Sequence, residues 1–271
     1  MRNIFIIILY TLRELFARKL FIAFGIISTL AIGIIWMILA NGSVMINQFG
    51  NANPGYDEME KIVLGFEVSA ILFLSDLFIL IAIFSCANLI SSMLEKGTID
   101  VFLSKPISRT QLLVGKYLGG VTFVFINMTY LVVGIFLVVS FYFNLWSFTV
   151  LLAIPVITFT FALLNIFLII SGLLTRGSAL GMIVTYFYFI VLSPILAARD
   201  SISNFISSDI LKQFLDFLYY LLPQVHDIVK TVFKQILLQN ENVQYELLIY
   251  STIFLIAGLA ISFFIFEKKD L

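Results

Sequence analysis

The chain is poor in the residues that soluble chemistry uses. Of its 271 residues, one is cysteine, one is histidine and five are proline. The lone Cys86 excludes an intrachain disulfide and any cysteine-based metal cluster, and it reads as a small buried apolar residue inside a span. The lone His226 excludes paired-histidine zinc motifs, and no nucleophile elbow is present. Charged residues make up 12% of the chain, against about 25% in an ordinary soluble domain. Basic and acidic residues balance at 16 each, so there is no general basic field for nucleic acid. No glycine-rich phosphate loop occurs, because Gly115-Lys116 lacks both the upstream glycine and the following hydroxyl. If ATP is used, another chain binds it.

What is abundant is apolar surface. Hydrophobic residues are 61% of the chain and mean hydropathy is +1.09. A helix needs about 20 apolar residues to cross a bilayer, and the pattern supplies six such runs. The sequence therefore reads as an all-α integral membrane protein, a single transmembrane domain over 1–271. Its six transmembrane helices fall near 20–40, 68–92, 112–143, 145–174, 179–198 and 247–266. Asn144 marks the turn between the third and fourth. Pro155 and Pro194 are expected to kink the fourth and fifth spans.

The start of the chain does not read as a cleaved signal peptide, since its apolar run is short and charges follow. Residues 1–19 are expected to form an interfacial helix. Leu12, Leu15, Phe16 and Leu20 would share one face, Arg13, Glu14, Ala17 and Arg18 the other, with Glu14 and Arg18 spaced for an i,i+4 pair.

Loop charges give an orientation. Arg2, Arg13, Arg18, Lys19, Lys96, Lys105, Arg109, Lys116, Arg176, Lys268 and Lys269 fall on one side. The first opposite loop has Lys61 among Asp57, Glu58, Glu60 and Glu67. The basic excess predicts both termini in the cytoplasm. The external segment 200–246 is too long and too patterned for a plain loop. It reads as two amphipathic helices broken at Pro223, lying on or dipping into the outer leaflet; the alternative is a re-entrant seventh span. His226, on this segment, reads as a surface residue.

Asp76 is the sharpest residue inside a span. A carboxylate there costs at least a few kcal/mol against lipid, so it needs a cavity, a dimer seam or a polar partner. Asn127, Thr129 and Tyr130 in the third span are the candidates. The functional expectation is a substrate path lined by Asp76, Asn127 and Tyr130; the plain one is a packing hydrogen bond. Gly115 and Gly119, with Gly120 beside them, form a small-residue pair suited to close helix packing or to a pivot.

The densest polar island, 93–111, separates the second and third spans. Gly97 allows the second span to end and turn. Thr98 can cap a short helix, Pro106 stops it, and Ser108 can cap the next. The expected product is a cytoplasmic helix–turn–helix finger.

The run Glu95-Lys96-Gly97-Thr98-Ile99-Asp100, followed by Pro106-Ile107-Ser108-Arg109 and Gly115-Lys116, resembles permease subunits of type-2 ATP-binding-cassette exporters. It is most similar to the branch holding the permease of the nitrous-oxide-reductase maturation transporter. Weaker echoes are Arg13-Glu14-Leu15 with Arg18-Lys19, and Tyr219-x-x-x-Pro223. The resemblance implies a transport subunit without catalytic residues, paired with a second copy as a homodimer. Each copy would seat on a cytoplasmic nucleotide-binding ATPase subunit that holds ATP and Mg. Glu95, Gly97, Thr98, Asp100, Pro106, Arg109 and Lys116 would couple the two, and membrane lipid surrounds the assembly. The matching residues are coupling residues, so they leave the substrate open. Two rivals stand beside this reading. One is ATP-driven mechanical remodelling of an external partner. The other is a lipid-modifying membrane enzyme using Asp76 or His226, which lacks a second well-placed acid, base or metal cluster.

Overall fold

A computed structural model describes residues 2–41, 56–93, 108–175, 177–203, 208–238 and 245–268. Of these, 93% are helical and none is in a strand. Six of the helices are long and apolar enough to cross a membrane. The protein is an all-α integral membrane protein.

The helices are α1 (Arg2–Ala17), α2 (Leu20–Ala40), α3 (Tyr56–Met93), α4 (Arg109–Phe143), α5 (Ala153–Thr175), α6 (Ser178–Phe187), α7 (Ser193–Ala197), α8 (Arg199–Ser203), α9 (Asp209–Leu221), α10 (Val225–Leu238) and α11 (Tyr245–Glu267). A 3-10 turn (Phe148–Leu152) leads into α5, and a π-turn (Tyr188–Leu192) joins α6 to α7. Together α6, the π-turn and α7 make the fifth span.

Local chemistry sets the ends. Ser108 caps α4: its Oγ accepts from Gln111 N at 3.2 Å, and Gln111 Oε1 accepts from Ser108 N at 3.4 Å. This reciprocal box satisfies two otherwise orphan amides. At the other end of α4, Asn144 adopts the left-handed conformation at φ 54°, which asparagine tolerates better than most residues. Pro155 lies in the first turn of α5 and Pro194 at the start of α7. In a first turn the missing amide would have no intrahelical partner, so Pro155 is tolerated there, whereas Pro194 follows directly on the π-turn inside the fifth span.

α5 is the most buried span and the hub of the bundle. Close helix contact in lipid relies on shape, since apolar burial offers little advantage over lipid. Ile166 of α5 fills the place a side chain at Gly258 of α11 would take. Aromatic pairs lock the rest: Phe24 meets both Phe78 and Phe123 edge-on, at 5.4 and 5.2 Å. At the end carrying α1, called here the near end, Ile7, Met93, Leu112, Leu173 and Phe266 share one apolar cluster.

Candidate functional sites: polar joints at the two ends

The near-end joint is built by α1 and the first turns of α4. The two helices run the same way and in register. Asn3 Nδ2 donates to Gln111 Oε1 at 3.3 Å. A Cβ added to Gly115 would lie 2.6 Å from Ile7 Cβ, and one added to Gly119 would lie 2.6 Å from Thr11 Cβ. The small-residue pair is thus the groove that receives α1. Its fit selects β-branched Ile7 and Thr11, buried with Leu15. The expected face differs accordingly: Phe16 points away, Leu12 is half-buried, and α1 runs along α4.

Charge closes the same joint. Lys116, whose side chain is 2% exposed, donates to Glu14 Oε2 at 2.5 Å. Arg18 donates to Glu14 Oε1 at 2.8 Å, the i,i+4 pair read from the sequence, and Ser92 Oγ of α3 donates to the same oxygen at 3.4 Å. Tyr10 presents its ring to Lys116 Nζ at 5.4 Å. Lys116, one of the residues that the resemblance assigns to coupling, thus forms its ion pair within the chain, in a cluster that ties three helices together. Arg109 opens α4 and is half-buried. Glu95, Gly97, Thr98, Asp100 and Pro106 lie outside the described residues, between Met93 and Ser108.

The residues expected to line a path do not converge. Asn127 is buried and donates to Phe123 O of its own helix at 2.8 Å. Thr129 does the same to Phe125 O at 2.7 Å. Tyr130 shares a hydrogen bond with Thr29 of α2 at 3.0 Å. Asp76 faces outward from α3, with no hydrogen bond or ion pair among the described residues.

By sequence Glu67 belongs with the acidic residues of the first opposite loop. It lies within α3, is 3% exposed, and its Oε1 has no hydrogen-bond partner. Its spacing from Asp76, half a turn out of phase at 100° per residue, was the available signal that the two carboxylates face opposite ways.

The far-end joint is a helical hairpin. α9 descends, Leu222-Pro223-Gln224 turn, and α10 returns. Tyr188 of the π-turn donates its hydroxyl to Pro223 O. Ser193 Oγ accepts from His226 N at 3.2 Å. Tyr219 donates to Asp227 Oδ2 at 2.9 Å, and Gln224 Nε2 donates to Tyr219 O at 3.4 Å. The Arg199 guanidinium lies 3.5 Å from the centre of the Tyr219 ring. The turn reaches well into the bundle, because Tyr188 also stacks on Phe167 of α5 at 4.7 Å and Tyr186 donates to Leu80 O of α3 at 2.8 Å. Val225, Ile228 and Phe233 of α10 are buried in the main core, whereas Ile210, Phe214 and Phe217 of α9 stay exposed. A π-turn of this kind often marks a functional position; here it aims Tyr188 and Ser193 at the hairpin tip.

A cavity of about 10 Å3 sits under the turn, walled by Tyr188, Ser193, Gln224, His226 and Asp227. That is room for about one water, and the buried Gln224 Oε1 beside it has no partner within the protein. Burial pushes the His226 pKa down from its ordinary value, and Lys230 adds to the shift; Asp76 and Asp227 oppose it. Burial also pushes Tyr219 up, helped by its bond to Asp227. Both groups are thereby held neutral, as hydrogen-bonding parts of a joint. Among the described residues no group of three or more histidine, cysteine or acidic side chains could hold a metal ion.

Together these features define a polytopic helical membrane protein whose polar groups tie helices to one another. A family model described as ABC-2 family transporter protein matches residues 6–271, and the chain belongs to that family. It is a permease subunit of an ABC transporter, and the family implies an ATPase partner subunit. No curated protein matches the chain.

Proposed function

We propose that this permease is one half of an ATP-driven exporter. Two copies form a homodimer, each seated on a separate cytoplasmic subunit that binds ATP and Mg. Closure of the ATPase pair pushes on the segment around Glu95, Gly97, Thr98, Asp100, Pro106 and Arg109, and the push travels into α4. The observation that carries this reading is the braced near end. Ser108 caps α4 directly after that segment, and about two turns further on Lys116, Glu14 and Ser92 tie α4 to α1 and α3. A load applied there is shared by three helices at once. The near end also holds Arg13, Arg18, Lys19, Arg109, Lys116 and Lys268, the basic excess expected of a cytoplasmic face in a bacterial inner membrane. Similarity of the coupling run to the nitrous-oxide-reductase maturation branch speaks to ancestry and leaves the substrate open.

A second reading, remodelling of an external partner, is favoured by α9, which keeps Ile210, Phe214 and Phe217 exposed at the far end. One experiment tests the coupling itself. Two residues inserted at Ser104 should uncouple ATP hydrolysis in the reconstituted complex, or release the ATPase subunit in a pull-down, while the spans stay folded. If hydrolysis and retention both stay at wild-type level, this segment does not couple.

A further inference from the structure

We infer that Glu67 is a proton-binding site: in this conformation it holds its carboxyl as the neutral acid, and it gives the proton to far-side water when α3 parts from α4. The acid stands on its surroundings alone; the release rests on the coupling reading above. Burial comes first. Glu67 is 3% exposed and lies within the stripe Val63, Leu64, Val68 and Ile71, which α3 buries in the main core. Neither carboxyl oxygen has a hydrogen bond or an ion pair among the described residues. A carboxylate buried in that way costs more than the proton that neutralises it.

The cations that could compensate it are engaged elsewhere. α3 packs against α4, α5, α6, α10 and the 3-10 turn. α5, α6 and the turn hold no charged residue, and the titratable Tyr186 of α6 is bonded to Leu80 O. The charges of α4, Arg109 and Lys116, stand at the near end. On α10, His226 interacts with Asp76, Asp227 accepts from Tyr219, and Lys230 is exposed. Lys61 of α3 is exposed as well, and Arg199 meets Asp200, Asp216 and the Tyr219 ring. The far-end stretches 42–55, 204–207 and 239–244 contain no lysine or arginine.

Release follows from the lever and the seam. α3 is one helix from Tyr56 to Met93, so a push on the segment after Met93 is carried along it to Glu67. The neighbouring α4 holds Ser140, 1% exposed, whose Oγ also lacks a partner. Ser92 and Lys116 both reach Glu14, which sets α3 and α4 level there. Glu67 and Ser140 each lie about 37 Å further along their helices, so they stand at one height. Parting the seam there wets two unsatisfied groups together. The carboxyl O–H then breaks, its proton passes to water at the far end, and the carboxylate is hydrated; closure takes one proton back. High pH on the far side therefore favours the parted seam.

The test uses the full-length permease, with its copurified ATPase subunit, in lipid. Infrared spectra at pH 7 should show a carbonyl band of an un-ionised acid that shifts on 13C-glutamate labelling, which leaves Asp76 unmoved, and that is lost in Glu67→Gln. Absence of that band in wild type, or its persistence in Glu67→Gln, overturns the site. Absence is also the outcome if an ionised Glu67 pairs with Lys234 of α10, whose side chain lies outside the described residues. Thermal midpoints give a second readout: wild type and Glu67→Gln should agree at pH 5, and wild type alone should fall as pH rises. Parallel curves overturn the site too. Trapping the ATPase pair closed with ATP and vanadate should abolish the band in wild type; a band kept there overturns the release step. Recovery of the permease without any ATPase subunit sinks the coupling reading instead, and leaves the resting acid to stand or fall on its own band.

Discussion

Lys116 and Glu14 form an ion pair across two helices: Nζ stands 2.5 Å from Oε2, with the lysine side chain 2% and the glutamate 18% exposed. Removing one partner of such a pair strands a buried charge, a loss of about 3–5 kcal/mol when fully buried; the part-exposed glutamate puts Glu14→Gln toward the low end. Lys116→Ala should lower the thermal midpoint in detergent more than Glu14→Gln does. A double change to Glu14→Leu with Lys116→Met should recover much of the loss, because two apolar groups leave nothing unpaired. If the double variant is as unstable as Lys116→Ala, packing rather than charge holds the joint.

The glycines separate into two classes. Gly115→Ala and Gly119→Ala each drive a methyl to within 2.6 Å of an α1 side chain at its Cβ, so α1 must move. Thermal stability should fall and cleavage of α1 by added protease should quicken. Gly25→Ala and Gly33→Ala meet nothing within 4 Å. They should leave stability unchanged or raise it by up to about 1 kcal/mol, the helix propensity gained over glycine. Equal behaviour of the two classes would remove the α1 groove from the account.

His226 should give the protein an acid-side slope. Its folded pKa lies below the ordinary 6.5, through burial first and Lys230 second, with Asp76 and Asp227 pulling the other way and the neutral Tyr188 and Tyr219 nearby. Below 6.5 the unfolded chain takes up the proton that the folded chain refuses. The stability from neutral His226 is therefore full above 6.5 and declines as pH falls toward the folded pKa. Thermal midpoints between pH 7.5 and 5 should drop more steeply for wild type than for His226→Asn. Parallel curves would remove His226 as the source.

Orientation is open to direct labelling. In intact cells, a thiol placed at Ser201, exposed in α8, should react with an impermeant maleimide, and one at Ser104 should react only after the membrane is opened. The opposite pattern would invert the reading of the near end as cytoplasmic.

Much of the architecture was legible because a span advertises itself: 20 or so apolar residues in a row admit few alternatives. Local caps were legible too, as at Ser108 and Asn144, since their partners lie within a turn. What escaped was every fact that depends on a neighbour distant in sequence. Ile7 and Thr11 carry no mark of the glycines more than 100 residues away that accept them, so α1 was given a simple amphipathic face. Glu67 was grouped with nearby loop acids because the second span begins further upstream than its most apolar stretch. The depth of the hairpin at Pro223 rests on a hydroxyl from Tyr188, a contact with no local signature. Asp76 stands out in the sequence for its cost, but its candidate neighbours come from a span at the same depth; of these, Asn127 and Thr129 bond within their own helix and Tyr130 bonds Thr29 of α2.

The break between α1 and α2 has a consequence for how the chain tolerates length. Lys19 sits there at φ 59°, and α1 and α2 both lie against α4. The pairing is out of step across the break: Asn3 and Gln111 are 108 residues apart in sequence, Thr29 and Tyr130 only 101. About two helical turns of phase are thus lost in a two-residue joint, taken up by sideways travel. That joint is slack in an otherwise geared mechanism. An extra residue between Arg18 and Lys19 adds to travel that is already lateral, whereas the same residue inside α1 would rotate Ile7 and Thr11 out of their notches.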